Sequence, residues 1–219
     1  FGALFTAVFL PVLLSQQAYD SFAAFSRDWA FTASFLKFAI LATMGEMLGM
    51  RIRTGKYYVP GFGLIPRAFV WGMLGVFTKA AFMIFSAGVP SISAYAGMKE
   101  TASVMAGGLT GQKIMLSFSI SFFLNIIYAP VLMVTHKVTD FHIMTTGGST
   151  VKFFSAMDVA AALGATDWNT MWGFVLKKTI PLFWIPAHTI TFLLPAELQI
   201  LFAALLSTAL GLILAIASR

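Results

Sequence analysis

Long apolar runs, separated by short basic stretches or by stretches bearing glycine and proline, pattern this chain from end to end. The clearest run is Pro195 to Ser218, whose single charge, Glu197, falls in its first turn. A helix rises about 1.5 Å per residue, so roughly 20 apolar residues cross a hydrocarbon core of about 30 Å. By that measure the segments long enough to cross are about Trp29–Met50, Ile65–Gly88, Lys113–Thr135, Met171–Leu194 and Pro195–Ser218. Phe1 to Leu14 is apolar but short, and reads as the tail of a spanning helix, an interfacial segment or a signal-like core. The runs are continuous rather than alternating, which fits helices and not the strands of a membrane barrel. In lipid each backbone polar group needs an internal partner, which again selects helices. The pattern predicts an all-α fold, an integral membrane helical bundle of about 4–6 transmembrane helices, as a single domain over residues 1–219.

The intervening stretches carry turn chemistry. Arg51, Arg53 and Lys56 close the first segment, followed by Tyr57, Tyr58, Pro60, Gly61 and Gly63, an interfacial turn. Pro66 and Arg67 open the second segment, and Gly88-Val89-Pro90 is expected to stop it. Ser91–Gly111, with Gly107, Gly108 and Gly111, predicts an irregular link. Pro130 is expected to kink or end the third segment. Residues 136–169 are the most polar stretch and predict an extramembrane loop, with a short surface helix over Met157–Leu163. The fourth segment holds Lys177, Lys178, Pro181 and Pro186, and Pro195 predicts a sharp bend into the fifth.

Composition agrees with a lipid environment. The 219 residues are 59% hydrophobic and 10% charged, with mean hydropathy +0.87; a soluble domain averages about 25% charged. The net charge of +6 collects at segment ends, where it meets anionic lipid and sets orientation, so membrane lipid and not nucleic acid is the expected partner. The positive-inside rule places the Arg51–Lys56 turn in the cytoplasm or its organellar equivalent. The expected location is multi-pass, in a bacterial inner membrane or an organelle membrane. The absence of cysteine excludes disulfides, thiolate catalysis and cysteine-ligated metal. No P-loop, nucleophile elbow or HExxH is present, and Gly61-Phe62-Gly63 lacks the third glycine of a dinucleotide loop. His136, Asp140 and His142 match no recognised metal spacing. No enzyme activity, cofactor or metal site is therefore expected.

Polar and small residues within the runs carry the remaining signal. Ala203, Ser207, Gly211 and Ala215 share one face of the fifth segment, and Gly45 and Gly49 form a GxxxG in the first. Small residues at this spacing let another helix approach closely, either within the bundle or in a partner. Lys113, Ser117, Ser121 and Asn125 recur every fourth residue, with Tyr128 close to that face. They read as a polar track lining a pore or cavity, or as interhelical hydrogen bonding. Glu46 is a candidate buried charge, close enough to the end of its segment to reach headgroup water, Arg51 or Arg53. Lys79 lies past the middle of its segment and snorkels or faces a wet cavity; antiparallel neighbours make a direct Glu46–Lys79 pair geometrically doubtful. His188 reads as a hydrogen-bonded core residue rather than a ligand or proton relay. Glu197 suits the dipole of a helix start.

The motifs Met44-Gly45-Glu46, Lys113-Ile114-Met115-Leu116 leading to Tyr128-Ala129-Pro130, and Trp184-Ile185-Pro186 with Phe192 and Pro195 resemble those of the Mpv17/PMP22 family of small multi-spanning membrane proteins. The order of elements is similar over about residues 30–218, with Glu46 for the family's Asp and Thr191 for its Asn. The resemblance implies a compact helix bundle and, for some members, pore-like permeability to small solutes. The leading expectation is thus a channel or carrier for small solutes, with Lys79, Lys113, Ser117, Ser121 and Asn125 along a polar path that favours anions. The alternatives are an accessory subunit, joined to other membrane subunits or to itself through the Ala203/Ser207/Gly211/Ala215 face, and the substrate-binding subunit of a vitamin transporter.

Overall fold

The computed structural model describes residues 14–217 and contains helices and turns, with no strand among the described residues. The apolar run at the N-terminus, apart from Leu14, and the terminal Ser218-Arg219 lie outside them. A short helix α1 (Gln16–Asp28), capped by the Ser15 hydroxyl, leads into α2 (Ala30–Thr54). Next come α3 (Leu64–Tyr95), α4 (Thr101–Ala106) and α5 (Gly111–Thr145). Three short helices follow: α6 (Thr150–Phe153), α7 (Val159–Gly164) and α8 (Trp168–Thr170). At the start of α8 the Thr170 hydroxyl and backbone N–H both donate to Asp167 and hold its carboxyl below the usual aspartate range. A π-helix (Met171–Trp184) continues into α9 (Ile185–Leu193), and α10 (Ala196–Ala217) completes the described chain. Four of these helices, α2, α3, α5 and α10, are long and apolar enough to cross a membrane.

Several helices outrun their expected ends. Gly88-Val89-Pro90 does not stop α3, which runs on to Tyr95 with Val89 and Pro90 buried. Pro130 does not end α5, which runs on to Thr145. Residues 136–145, expected in the polar loop, are therefore helix, and the loop starts after them. The reason is the solvent. A proline within a helix forfeits one backbone bond, whereas a helix end exposes several unpaired groups, which lipid cannot satisfy. The link between α3 and α5 is partly helical, as α4. The short surface helix is present as α7, and the bend at Pro195 is present as an extended Leu194 (φ −77, ψ 157).

Contacts fix the directions of the helices. Arg67 meets Glu46 while Gly75 meets Ser34 and Phe38, so α3 runs antiparallel to α2. Tyr128 meets Thr78 and Asp140 meets Arg67, so α5 is antiparallel to α3. Lys37 reaches the Glu197 carbonyl, Thr208 donates to the Leu41 carbonyl (2.8 Å) and Gly49 lies against Gly211 and Ala215, so α10 is parallel to α2. The ends of α2 and α5 and the start of α3 thus gather Arg51, Arg53, Arg67 and Lys137 at one end of the bundle.

The core is made of Phe38, Leu41, Leu74, Phe82, Ile120, Leu124, Phe192 and Ala204, drawn from α2, α3, α5, α9 and α10. Lipid tails are as apolar as these side chains, so close packing, rather than exclusion of water, holds the helices together. Ile40, Ile84, Phe118, Ile127 and Ile213 point outward, as a lipid-facing surface requires. The small residues serve contacts inside the chain. A Cβ on Gly45 would stand 2.9 Å from the Thr208 Cα, and Ala203 and Ala215 are buried. The GxxxG of α2 packs against the small face of α10.

Candidate functional site

Six elements, α2, α3, α5, the π-helix, α9 and α10, enclose a cavity of about 440 Å³. One end is marked by the exposed Arg53 and Lys137, at the basic end of the bundle. The other end lies among Phe82, Asn125, Trp184 and His188. Beyond it Ile120, Phe192, Ile200 and Ala204 pack tightly, each at most 4% exposed, and none of them lines the cavity. The space is therefore closed toward the opposite end.

A charged cluster forms the wall near the basic end. Nη1 of Arg67 donates to Oε2 of Glu46 at 2.8 Å and pairs with Oδ1 of Asp140 at 2.5 Å. Nε1 of Trp71 donates to Oε1 of Glu46 at 2.9 Å, and Nε2 of His136 lies 3.2 Å from the same oxygen. The His136 ring is stacked on Trp71, with centroids 4.4 Å apart. Arg67 also donates from Nε to the Phe62 carbonyl (2.6 Å) and lies over the Phe62 ring. One guanidinium thus faces two carboxylates, and the indole and imidazole share the remaining acceptor capacity of Glu46. Such a cluster is stable only while every member is hydrogen-bonded, because the low dielectric that strengthens each pair also penalises an unpaired charge.

The other end is neutral. Ser121 Oγ donates to the Ile185 carbonyl at 2.7 Å. Asn125 Nδ2 donates to the Ser121 carbonyl at 2.8 Å and lies 3.2 Å from its hydroxyl. Nδ1 of His188 lies 3.1 Å from Asn125 Nδ2 and 3.3 Å from Oδ1. The imidazole sits between the Trp184 ring (5.2 Å between centroids) and the edge of Phe82 (5.6 Å). Midway along the cavity the Tyr128 and Thr78 hydroxyls are 3.1 Å apart.

The expected polar path does not exist as one lining. Asn125 lines the cavity; Ser117 and Ser121 are fully buried outside it, and Ser117 Oγ has no partner among the described residues. The stripe on α5 faces α9, whose backbone carbonyl at Ile185 accepts a hydrogen bond from Ser121, so it ties helices together instead of wetting a channel. Lys113 donates to the Gly107 carbonyl at 2.7 Å, away from the cavity. Lys79 is half-buried and also absent from the lining. Near it Lys37 donates to Ser26 Oγ at 2.7 Å and lies over the Phe22 ring.

Glu46 is partnered by Arg67, not by Arg51 or Arg53, because α2 runs on to Thr54 and places Glu46 deeper than its sequence distance from the basic turn suggested. Sequence reasoning missed His136 and Asp140 as members of this cluster. Their spacing of four residues puts them on one helical face, a signal hidden by reading the stretch as loop. Among the described residues no group of three or more His, Asp or Glu could hold a metal ion. Compared with known proteins, the chain matches no family model, no curated protein and no solved structure. The Mpv17-like resemblance rests on the motif residues alone, of which Gly45, Glu46, Tyr128, Ala129 and Trp184 line the cavity.

Proposed function

We propose that this integral membrane protein is a multi-pass carrier that admits a small solute into the bundle from its basic end and is not an open channel. The observation that carries this reading is a cavity blocked at one end only. It begins at Arg53 and Lys137, reaches His188 and stops against packed side chains. Its volume of about 440 Å³ lies within the roughly 300–1,000 Å³ of small-molecule sites, and such sites combine apolar walls with a few fixed polar groups. Here Phe38, Phe82 and Trp184 supply the walls, and Asn125, Tyr128 and His188 the polar groups. By the positive-inside rule the mouth faces the cytoplasm of a bacterium or the corresponding side of an organelle membrane. Ala203 and Ala215, half of the face that the accessory-subunit reading would use, are buried within the chain, which favours the carrier reading.

The test uses the purified full chain in lipid nanodiscs and planar bilayers. A naphthalene-sized probe, 2-methoxynaphthalene, is expected to bind saturably. A Cβ on Gly211 would meet no atom within 4 Å, and Gly211 lines the cavity, so Gly211→Trp is expected to abolish that binding while the protein still folds. No steady conductance is expected. A sustained current from the pure protein, or full binding to a folded Gly211→Trp variant, overturns the reading.

A further inference from the structure

The girth of the cavity and the charge at its mouth together select a class of solute, and this step rests on the carrier reading above. On α5 the lining runs from Leu124 to Asp140, a rise of about 24 Å along the helix axis. Spread over that length, the volume of about 440 Å³ leaves a mean cross-section of about 20 Å². That is the girth of one extended hydrocarbon chain. The middle of the wall suits such a chain, with Phe38, Leu132, Val175, Ile180 and Leu210 around it.

All the acidic and basic side chains of the lining, Glu46, Arg53, Arg67, Lys137 and Asp140, stand toward the mouth. With His136 neutral they sum to one positive charge. Arg67 holds both carboxylates, and neither Arg53 nor Lys137 has a carboxylate partner among the described residues. Arg51 lies over the Tyr57 ring, at the flank of the bundle. Arg53 is placed differently. Its Nη1 is 3.5 Å from the position a Cβ on Gly49 would take, and Gly49 lines the cavity. The guanidinium is thus folded back one turn along α2, over the opening. The blocked end holds no acidic or basic chain. Asn125 contacts His188 whichever ring nitrogen bears the hydrogen, and His188 sits between Phe82 and Trp184. The Trp184 Nε1–H has no acceptor among the described residues, so a neutral donor is present there but no cation.

We propose that the cavity is a binding site for a long-chain carboxylate, its tail toward Phe82 and Trp184 and its head at the mouth against Arg53 and Lys137. Contact along narrow apolar walls holds the chain, and the guanidinium offers paired donors to the carboxylate. The single net positive charge of the mouth matches a monovalent head; a phosphate monoester carries nearly two negative charges. The reverse orientation would bury the anion beside Asn125 and Trp184 with no cation near it, at a high cost in desolvation. An ammonium head would meet two unpaired cations.

Bromine quenches tryptophan fluorescence on contact, which makes Trp184 a reporter at the blocked end. The full chain is reconstituted in phosphatidylcholine liposomes at about pH 8.5, well above the carboxylate range. The difference between the native protein and Trp184→Phe isolates the Trp184 signal; displacement of 2-methoxynaphthalene gives the same affinities without that variant. 11-Bromoundecanoate is expected to quench Trp184 saturably. 2-Bromoundecanoate, which places its bromine at the mouth, should leave Trp184 bright. 11-Bromoundecan-1-ol is expected to bind about tenfold more weakly than the acid, the size of one hydrogen bond to a charged group, and 11-bromoundecylammonium more weakly still. Arg53→Gln and, separately, Lys137→Gln should each narrow the gap between acid and alcohol. Equal affinity of acid and alcohol, tighter binding of the ammonium, stronger quenching by the 2-bromo acid, or an unchanged gap in both folded variants overturns the carboxylate site while the carrier reading stands. If no chain probe quenches Trp184 saturably or displaces 2-methoxynaphthalene, the carboxylate site falls; the carrier reading falls with it only where 2-methoxynaphthalene itself does not bind.

Discussion

Glu46 shows how far a single residue can be read. An acid inside an apolar run costs roughly 2.5–3.5 kcal/mol on insertion scales, so its presence alone predicts a partner. The sequence does not reveal which one, because Arg67 comes from a different helix and also reads well as an opening basic flank. The side chains of Glu46 and Arg67 are 22% and 12% exposed, shielded enough for the pair to matter. Glu46→Gln is expected to destabilise the protein by about 3 kcal/mol, since Arg67 and His136 lose a charged partner. Arg67→Leu should cost less in the Glu46→Gln background than in the native chain, because the two act on one interaction. Reversible unfolding in detergent measures both; equal costs of Arg67→Leu in the two backgrounds would show that the pair contributes nothing. His188 is the opposite case. Its role as a hydrogen-bonded interior residue was legible from its place in an apolar segment, and its Nδ1 does make that bond. What the sequence hid is the setting of the ring, which comes from α3 and the π-helix.

At the scale of elements, the order and kind of the apolar segments were legible, because about 20 uncharged residues in a row have few other uses. Their ends were not. Proline and glycine end helices readily in water, where the freed backbone groups are hydrated, yet α3 and α5 pass through them. The π-helix was not legible at all, as no spacing of side chains in Met171–Trp184 distinguishes i→i+5 from i→i+4 bonding. Glycine gives the sharpest test at this scale. A Cβ on Gly75 would stand 2.6 Å from the Ser34 carbonyl oxygen, a backbone atom that cannot turn aside. Gly75→Ala is expected to force α2 and α3 apart at a cost of about 1–3 kcal/mol. Gly211→Ala faces open space and should be neutral or stabilising by up to about 1 kcal/mol, the helix propensity of alanine over glycine. Thermal unfolding of the two variants checks the contrast; a neutral Gly75→Ala would refute the close approach.

For the whole molecule, composition settles the class: so few charges cannot clothe a surface in water. The cavity could not be read in advance, since its walls come from six elements far apart in the sequence. On the multi-pass reading proposed above, the antiparallel alternation of α2, α3 and α5 puts Lys56 and the stretch after α5 on one side of the membrane and the stretch after α3 on the other. The chain has no cysteine, so single cysteines can be introduced without background. Lys56→Cys and Lys152→Cys should react with an impermeant maleimide from one face, and Lys99→Cys from the opposite face. Labelling of all three from the same face would sink this arrangement.

The pairing of α2 with α10 has a consequence for biogenesis. Thr208 meets Leu41, a separation of 167 residues, and the furrow at Gly45 and Gly49 is filled by the last helix described. A nascent polypeptide emerging from the ribosome therefore holds that furrow open to lipid until α10 has been made. Every truncated product lacking α10 would keep it open, a mark by which quality control can tell an unfinished protein from a finished one.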